Sequence, residues 1–422
     1  MEPQSEPCSS GAHPAPRRRW LMRFVAMLLP LALLAAVELS MRLTGCYSED
    51  DGAWQNRHVE FEKDTVFFPA WKDQMSMPKP EGTFRVFVLG GSTTVGLGVQ
   101  HAYPEFLAAE LTSRFEVVNG GVAAAGSHRV FEVLKEAAHF DPDVALISVG
   151  NNEFLEEVFF APDSILGKQQ RVTRFARQFR IMRWMAHVFD FSGWAHRSFR
   201  RARLQQHFLG STKFPLIRTP EQYKGRLAFL ESNLDLMASF AAERRFRIVL
   251  MPEVANLMVP PGDSFHGPGF LQPEKWATFM EEGRRCLEQG DADGALAVLR
   301  QASALDPAYA MTHFGIAKAL IAKGDYVEAR KELDLANTLD RRGDRINADI
   351  RRTIADVARR TGTPLLDMQE DVYGQPVDVC GPFGQKLFLD HCHLTEAGHR
   401  IMSQSILRFL TERKLVPDPA GR

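Results

Sequence analysis

Short apolar runs recur along the chain and predict the strands of one sheet. The runs cover residues 84–89, 115–118, 144–149, 246–251 and 364–366. Segments with the apolar spacing of helices alternate with them, at residues 102–114, 128–139, 221–244, 346–361 and 395–413. Apolar strands that alternate with helices indicate a parallel sheet whose two faces are both covered. We therefore expect a three-layer α/β/α fold with five parallel strands and with the chemistry at their carboxyl ends.

A second pattern repeats between the fourth and fifth predicted strands. In its first unit it consists of Gly290, Asp291, Ala295, Leu299, Ala302, Leu305 and Asp306, and the same residue types recur 34 residues later at Gly324, Asp325, Ala329, Leu333, Ala336, Leu339 and Asp340. This period, with small residues where paired helices cross, resembles the tetratricopeptide repeat. Two units are too few for a stable solenoid, so we expect residues 275–340 to pack on the α/β body or on a protein partner. A plain pair of helical hairpins without a ligand is the alternative.

The N-terminus predicts a membrane segment. Residues 1–19 form a tail that ends in consecutive arginines, and an apolar run from Phe24 to Val37 follows it. Residues 20–45 reach spanning length only if charged side chains near their ends are included. Because a basic flank stays in the cytoplasm, the chain after residue 45 would lie outside it, in the periplasm or the extracellular space. A signal peptide cut near residues 35–36 is the alternative to a single-pass anchor.

Two further segments separate the predicted elements. Residues 46–82 form a polar linker, and residues 153–219 interrupt the α/β body, which we expect to comprise residues 83–274 and 341–415. The insertion is basic and carries aromatic residues at 171–203. Such a stretch is typical of a membrane-surface element or of a site for an anionic polymer. A solvated lid helix is the alternative.

The overall charge narrows the classes of partner. Lys and Arg number 51 against 52 Asp and Glu, a formal net charge of −1, so no global field favours nucleic acid. The five cysteines show no metal-ligand spacing, and their odd number excludes a fully paired disulfide framework. A single bridge between Cys380 and Cys392 is compatible with an oxidising compartment.

A glycine-rich turn follows the first predicted strand. It runs Gly90-Gly91-Ser92-Thr93-Thr94-Val95-Gly96, and it lacks the Lys of a Walker A phosphate loop and the glycine spacing of a dinucleotide-binding loop. Glycines allow a tight turn from strand to helix, which would expose the Ser92 hydroxyl at a helix N-terminus. A structural turn without chemistry is the alternative.

Three other polar groups are expected at the same edge of the sheet. They are Asn119-Gly120-Gly121 after the second strand, Gly150-Asn151-Asn152-Glu153 after the third, and Asp390-His391-Cys392-His393 before the last helix. Together with Ser92, they supply a nucleophile, a base, an acid that orients the base, and amide and N–H donors. Acyl transfer requires this set of groups.

The four blocks resemble those of the SGNH/GDSL hydrolase superfamily of serine esterases and lipases, which has a flavodoxin-like α/β/α fold. The resemblance implies that Ser92 is the nucleophile, that His393 is its base and that Asp390 is the acid. It also implies an oxyanion hole formed by the N–H groups of Ser92 and Gly121 and by the amide of Asn152.

Three positions depart from the family's motifs. Gly91 and Thr93 stand in a block that usually reads Gly-Asp-Ser-Leu, and Glu153 ends a block that usually reads Gly-x-Asn-Asp. We expect these departures to be mild, because the positions around the serine shape the turn and do not react. His391 lies inside the last block but out of its register, and we expect it at the rim of the site.

The resemblance implies an enzyme that hydrolyses carboxylic esters through an acyl-enzyme, with no metal and no organic cofactor. The expected substrate is an ester, with acyl groups on a glycan or a lipid as candidates. Transfer of the acyl group to a glycan hydroxyl by the same residues is one alternative. A non-catalytic adaptor that binds a protein partner through its repeats is another.

Overall fold

A computed structural model describes residues 16–44, 78–156, 179, 181 and 214–417. These residues fall into two units. The smaller unit holds residues 16–44 with 179 and 181, and the larger unit holds the rest. Most of the predicted insertion at 153–219, including nearly all of the basic stretch at 171–203, therefore lies outside the described residues.

Four parallel strands form the sheet of the larger unit. They are β1 (Phe84–Gly90), β2 (Phe115–Gly121), β3 (Val144–Val149) and β4 (Arg247–Pro252). Their order across the sheet is β2-β1-β3-β4. At the end of β1, Gly90 lies opposite Gly121 of β2 and Ser148 of β3. All four strands run in the same direction, so the segments that follow them meet at one edge of the sheet.

The predicted fifth strand at residues 364–366 is reduced to one parallel bridge, between Leu365 and Leu250. The Leu250 N–H donates to the Pro364 carbonyl at 2.9 Å, and the Leu366 N–H donates to the Leu250 carbonyl at 2.9 Å. Pro364 has no N–H with which to extend this ladder. The prediction of five strands is therefore wrong, and the sheet in the described residues has four.

Helices cover both faces of this sheet. In chain order, the helices are α1 (Pro16–Thr44), α2 (Ser92–Val95), α3 (Tyr103–Glu110), α4 (Ser127–Ala137), α5 (Pro220–Arg244), α6 (Pro273–Gln289), α7 (Ala292–Leu305), α8 (Ala310–Ala322), α9 (Tyr326–Leu339), α10 (Ala348–Thr361), α11 (Gln369–Tyr373), α12 (Val377–Cys380) and α13 (Glu396–Glu412). Short 3₁₀ segments lie at Ala138–Phe140 and Pro382–Leu387.

Alternate residues of the strands enter two separate apolar layers. Val86 and Val88 of β1 pack into the layer that contains α3, α13 and the helices α6–α9. Phe87 and Leu89 of β1 pack into the layer that contains α4, α5 and α10. Since successive side chains of a strand point to opposite faces, this division shows a sheet buried on both sides. The predicted α/β fold with a covered parallel sheet is confirmed.

Helices α6–α9 build the repeat region, and each packs on the next along the chain. Six small or apolar residues of the repeat pattern are buried, namely Ala295, Leu299, Ala302, Ala329, Leu333 and Ala336, and so are its aspartates Asp306 and Asp340. Gly283 of α6 lies so close to Leu299 that a Cβ there would be 2.4 Å from a Leu299 methyl, and a Cβ on Gly315 of α8 would be 2.9 Å from the other. The helices therefore cross where the sequence places small side chains.

The repeats pack on the α/β body. Arg330 of α9 lies over the ring of Tyr373, with the guanidinium carbon 4.3 Å from the ring centroid. Tyr326 contacts Phe383 edge to face, with the centroids 6.2 Å apart. These contacts show that the α/β body covers this side of the second repeat.

The smaller unit contains α1, where the sequence predicted a membrane-spanning segment at residues 20–45. Pro30 lies inside this helix. Near its end, the Glu38 carboxylate accepts hydrogen bonds from Arg42 Nε and the Ile181 N–H, each at 2.8 Å. None of the helices in the described residues combines the length and the apolar character needed to cross a membrane. The anchor is therefore not supported, and the location outside the cytoplasm stays a prediction.

The cysteines are free thiols at all three described positions, Cys286, Cys380 and Cys392. The bridge between Cys380 and Cys392 is therefore absent from this structure. Cys392 is buried within the turn that carries the last sequence block, and Cys380 ends α12.

Leu299→Ala is expected to destabilise the repeats, because Leu299 is buried between Gly283 and Gly315, whose lack of side chains leaves nothing to fill the cavity. We expect the free energy of unfolding to fall by about 2–5 kcal/mol, measured by urea denaturation followed by circular dichroism. Leu271→Ala is the control, because Leu271 is 85% exposed. Equal losses in the two variants would contradict the packing described for Leu299.

Candidate active site

Ser92 begins α2 directly after β1. The Thr94 and Val95 N–H groups donate to the Gly91 carbonyl at 3.1 and 3.2 Å, which closes the turn from strand to helix. The helix ends after one turn at Gly96, whose φ of 82° is left-handed and suits glycine. The turn places the Ser92 side chain at the carboxyl edge of the sheet, as the glycine-rich sequence predicted.

A continuous chain of hydrogen-bonding groups joins Ser92 to the last sequence block. Ser92 Oγ lies 2.8 Å from His393 Nε2. On the other side of the ring, His393 Nδ1 lies 2.7 Å from Asp390 Oδ2. A hydroxyl, an imidazole and a carboxylate therefore meet in a geometry that can activate a serine hydroxyl.

The turn that carries Asp390 fixes its own geometry. Asp390 Oδ1 accepts hydrogen bonds from the Cys392 and His393 N–H groups at 2.9 and 2.8 Å, which leaves Oδ2 for the imidazole. The Leu389 N–H donates to the His393 carbonyl at 2.7 Å and closes the turn. Burial alone would raise the pKa of Asp390, but these hydrogen bonds, with that of His393, hold it well below its usual value. Asp390 therefore stays ionised beside the ring.

Asn152 enters the site from the turn after β3. Its Nδ2 donates to the Ala125 carbonyl at 3.1 Å. The same atom lies beside Gly91, where a Cβ would come within 2.4 Å of it. In this chain, a side chain at position 91 would therefore displace Asn152. The neighbouring Asn151 accepts from the Ile346 N–H at 2.8 Å and serves the scaffold.

Gly121, which the sequence predicts as an oxyanion donor, ends β2 beside α2. Its N–H donates to Asn119 Oδ1 at 3.0 Å. A Cβ on Gly121 would lie 2.4 Å from the Val95 N–H nitrogen, so this glycine allows β2 to approach α2. Gly121 thus lets β2 pack closely on α2, and its part in an oxyanion hole stays a prediction.

Two buried carboxylates support the turn that holds Asn152. Glu153 accepts from the Ser127 N–H at 3.1 Å and from the Ser127 hydroxyl at 2.7 Å, at the N-terminus of α4. Glu253, which follows β4, accepts from the Asn151 N–H at 2.7 Å. Its other oxygen, Oε1, is buried without a hydrogen-bond partner and faces Gly91. Burial raises the pKa of Glu253 to about 8, so a proton on this carboxyl is favoured at neutral pH.

His391 lies at the rim, as predicted. Its two ring nitrogens are each 3.7 Å from a carboxylate, Nε2 from Asp344 and Nδ1 from Asp390. Burial lowers the pKa of His391, which favours the neutral ring. Its ring centroid is 6.0 Å from that of His393, outside the hydrogen-bonded chain that leads to Ser92.

Asp390, Cys392 and His393 also carry atoms of metal-ligand type within 4.8 Å of one another. Two properties of the group favour proton transfer over metal binding. His393 Nδ1 is already engaged by Asp390 at 2.7 Å. Burial raises the pKa of the Cys392 thiol well above its usual value, which disfavours the thiolate that binds metals.

The sequence predicts that the loop at residues 251–257 lines the same cleft, whereas its motifs do not point to Arg345. Glu253 and Asn256 lie in the loop after β4, and Arg345 follows the second repeat. A carboxylate directly after a buried strand was a usable signal for Glu253, because such positions meet at the carboxyl edge. No spacing in the sequence connects Asn256 to Arg345, because their contact depends on the packing of the repeats.

Glu253→Gln should reduce the loss of stability that the protein suffers as the pH rises. An acid whose pKa is raised by folding stabilises the folded state fully below its unfolded pKa, and this stability is lost as the pH rises through the folded pKa. A glutamine keeps an oxygen for the Asn151 N–H and cannot ionise. We expect the urea midpoint to fall less between about pH 5 and about pH 8 in the variant than in the parent. Parallel pH profiles would contradict a protonated Glu253.

Comparison with known proteins bears on the two parts of the chain separately. Residues 287–348 match the tetratricopeptide repeat family, which confirms the repeats. No curated protein matches the chain.

Solved structures similar to the chain include three esterases or lipases. One is a catalytic mutant of an acetylxylan esterase from Geobacillus stearothermophilus, 11% identical, with a TM-score of 0.36 over 78% of this chain and 94% of that one. Another is a GDSL-like lipase from Bacteroides thetaiotaomicron, 10% identical, with a TM-score of 0.37 over 85% and 98%. A third is the SGNH-hydrolase family esterase AlinE4, 12% identical, with a TM-score of 0.28 over 79% and 97%. At such low identities and scores, the function of this chain has to be inferred from its own site.

Proposed function

We propose that this protein is a serine hydrolase that cleaves carboxylic esters. The observation that carries the proposal is the unbroken chain from Asp390 through His393 to Ser92, with contacts of 2.7 and 2.8 Å. Asp and Ser on opposite ring nitrogens hold the imidazole in the tautomer that can accept the serine proton. Ser92 and His393 lie 301 residues apart in the sequence, and the fold brings their side chains together.

The reaction begins with attack of Ser92 Oγ on the ester carbonyl. His393 Nε2 accepts the proton of the hydroxyl, and ionised Asp390 stabilises the imidazolium that forms. The imidazolium then returns the proton to the leaving alcohol, and an acyl-enzyme remains on Ser92. Water, activated by the same histidine, releases the acid and restores the serine.

The oxyanion of the tetrahedral intermediate needs donors beside Ser92. The Ser92 N–H at the start of α2 and the Asn152 amide beside Gly91 are the two groups that we assign to this task. Gly121 can contribute only after its N–H releases Asn119 Oδ1. We therefore assign the larger part of the stabilisation to Ser92 and Asn152.

Acyl groups carried by a glycan or a lipid remain our proposed substrates. The side chains that we assign to catalysis act on the ester carbonyl and its oxygen. None of them is assigned to select the alcohol part of the substrate. A short activated ester is therefore the appropriate first probe, because it depends on the acyl-transfer machinery alone.

Hydrolysis of p-nitrophenyl acetate by the full-length chain tests the assignment. Ser92→Ala and His393→Ala should abolish turnover above background, and Asp390→Asn should lower kcat by about 10⁴-fold, because the amide favours the wrong tautomer of His393. Ser405→Ala is the matched control, since Ser405 is buried on α13. Labelling by a fluorophosphonate should require Ser92. Equal turnover in all variants, with no labelling of Ser92, would sink the proposal and favour the non-catalytic adaptor.

Asn152→Ala should lower kcat by about 10²–10³-fold, the usual cost of removing one oxyanion donor. KM should change little, because the lost hydrogen bond forms with the transition state and not with the bound ester. Steady-state kinetics with the same ester measures both constants. A rise in KM at constant kcat would show that Asn152 binds substrate instead.

A further inference from the structure

A short connector joins the second repeat to the rim of the candidate site. This connector, residues 340–346, runs from the end of α9 to Asn347, the N-cap of α10. Its Ile346 N–H donates to Asn151 Oδ1 at 2.8 Å, beside the turn that carries Asn152. Ile346 also packs so tightly on Gly150 that a Cβ there would lie 2.5 Å from an Ile346 methyl. The connector therefore contacts the loop after β3 directly.

Arg345 of the same connector holds the loop after β4. Its Nη1 donates to the Asn256 and Val259 carbonyls at 3.1 and 3.0 Å. Its Nη2 donates to Asp340 Oδ2 at 2.9 Å, and both side chains of this ion pair are nearly fully buried, at 4% and 2% exposed. A buried charge is costly unless its partners are well placed, so this arrangement resists movement of the loop.

Asn256, whose carbonyl Arg345 binds, donates hydrogen bonds to the turn at Asp390–His393. Its backbone N–H donates to the His391 carbonyl at 2.9 Å. Its side-chain Nδ2 donates to the Asp390 carbonyl at 3.1 Å, while its Oδ1 accepts from the Met258 N–H at 3.0 Å. The backbone N–H and the side-chain amide of Asn256 therefore both bind carbonyls of the turn just before His393.

The turn is thus held from two directions. From inside, Asp390 Oδ1 binds the Cys392 and His393 N–H groups. From outside, Asn256 binds the two carbonyls that precede them. The inner contacts set the shape of the turn, and the outer contacts set where the turn lies relative to the sheet that carries Ser92.

We propose that Asn256 is a positioning residue that sets the distance between His393 and Ser92, and that Arg345 holds Asn256 for this task. The proposal rests on the esterase function proposed above. It gives the repeats a part in catalysis, because the connector that supplies Arg345 is fixed by α9 at one end. A displacement of a catalytic group by about 1 Å can cost on the order of 100-fold in rate.

Asn256→Ala in the full-length protein, compared with Asn347→Ala, is the first test. Asn347 is the matched control: it is as deeply buried, it caps α10 by accepting the Ile350 N–H, and it makes no contact with the catalytic turn. Both variants should lose a similar amount of thermal stability. We expect kcat for p-nitrophenyl acetate to fall by about 10- to 100-fold in Asn256→Ala only, with KM nearly constant. Equal kcat values in the two variants would overturn the proposal.

Arg345→Lys tests the second link. Lysine keeps the charge but cannot bind the Asn256 carbonyl, the Val259 carbonyl and Asp340 together. If Arg345 acts through Asn256, the loss of kcat in the double variant Asn256→Ala/Arg345→Lys should be smaller than the product of the two single losses. Multiplicative losses would show that Arg345 acts independently and would overturn this part.

NMR separates failure of the positioning from failure of the esterase function. The ¹⁵N resonance of His393 Nε2, which lies 2.8 Å from Ser92 Oγ, should differ between the parent and Ser92→Ala. We expect this resonance to broaden or shift in Asn256→Ala and to stay unchanged in Asn347→Ala. An unchanged resonance in both would overturn the positioning role even if the esters are hydrolysed. A parent whose resonance differs from that of Ser92→Ala but which neither hydrolyses esters nor reacts with a fluorophosphonate would overturn the esterase function alone.

Discussion

The parallel pairing of β1 with β2 and β3 is the constraint on which the rest of the site depends. It brings the ends of these strands to one edge, where Gly90 lies opposite Gly121 and Ser148. Because a parallel strand can be followed only by a crossover, each strand delivers a turn to that edge before the chain returns. His393, 301 residues from Ser92 in the sequence, can reach the serine hydroxyl because α13 packs on the same sheet.

The edge is supported by buried polar groups and not by apolar packing alone. Glu153 and Glu253 each accept N–H groups of the turns around Asn152, in surroundings where burial raises the pKa of both carboxyls. A buried carboxyl that is kept protonated avoids most of the cost of a buried charge while it retains an acceptor. Such hydrogen bonds fix the orientation of a turn more tightly than apolar contacts would. A hydrogen-bond donor to an oxyanion requires a fixed orientation.

The repeats are more closely joined to the α/β body than a binding module on a linker would be. The contacts of Arg330 with Tyr373 and of Tyr326 with Phe383 cover one side of the second repeat. The connector after α9 then reaches the loops behind the site. Two repeats alone bury too little surface to be stable, and the body supplies the missing neighbour.

The sequence by itself determined the features that depend on near neighbours in the chain. Glycines around Ser92 specify the tight turn after a strand, and the three-residue spacing of Asp390 and His393 lets one turn hold both. Apolar periodicity predicted the covered sheet, and the 34-residue period predicted the helices α6–α9.

Other features were decided by tertiary contacts that no local pattern contains. Pro364 reduced the fifth strand to one bridge, because its missing N–H mattered only where the chain met β4. Asn256 and Arg345 lie 89 residues apart, and only the packing of the repeats on the body brings them together. Motifs record which groups a reaction needs, whereas the position of those groups depends on long-range packing, which leaves no fixed spacing in the sequence.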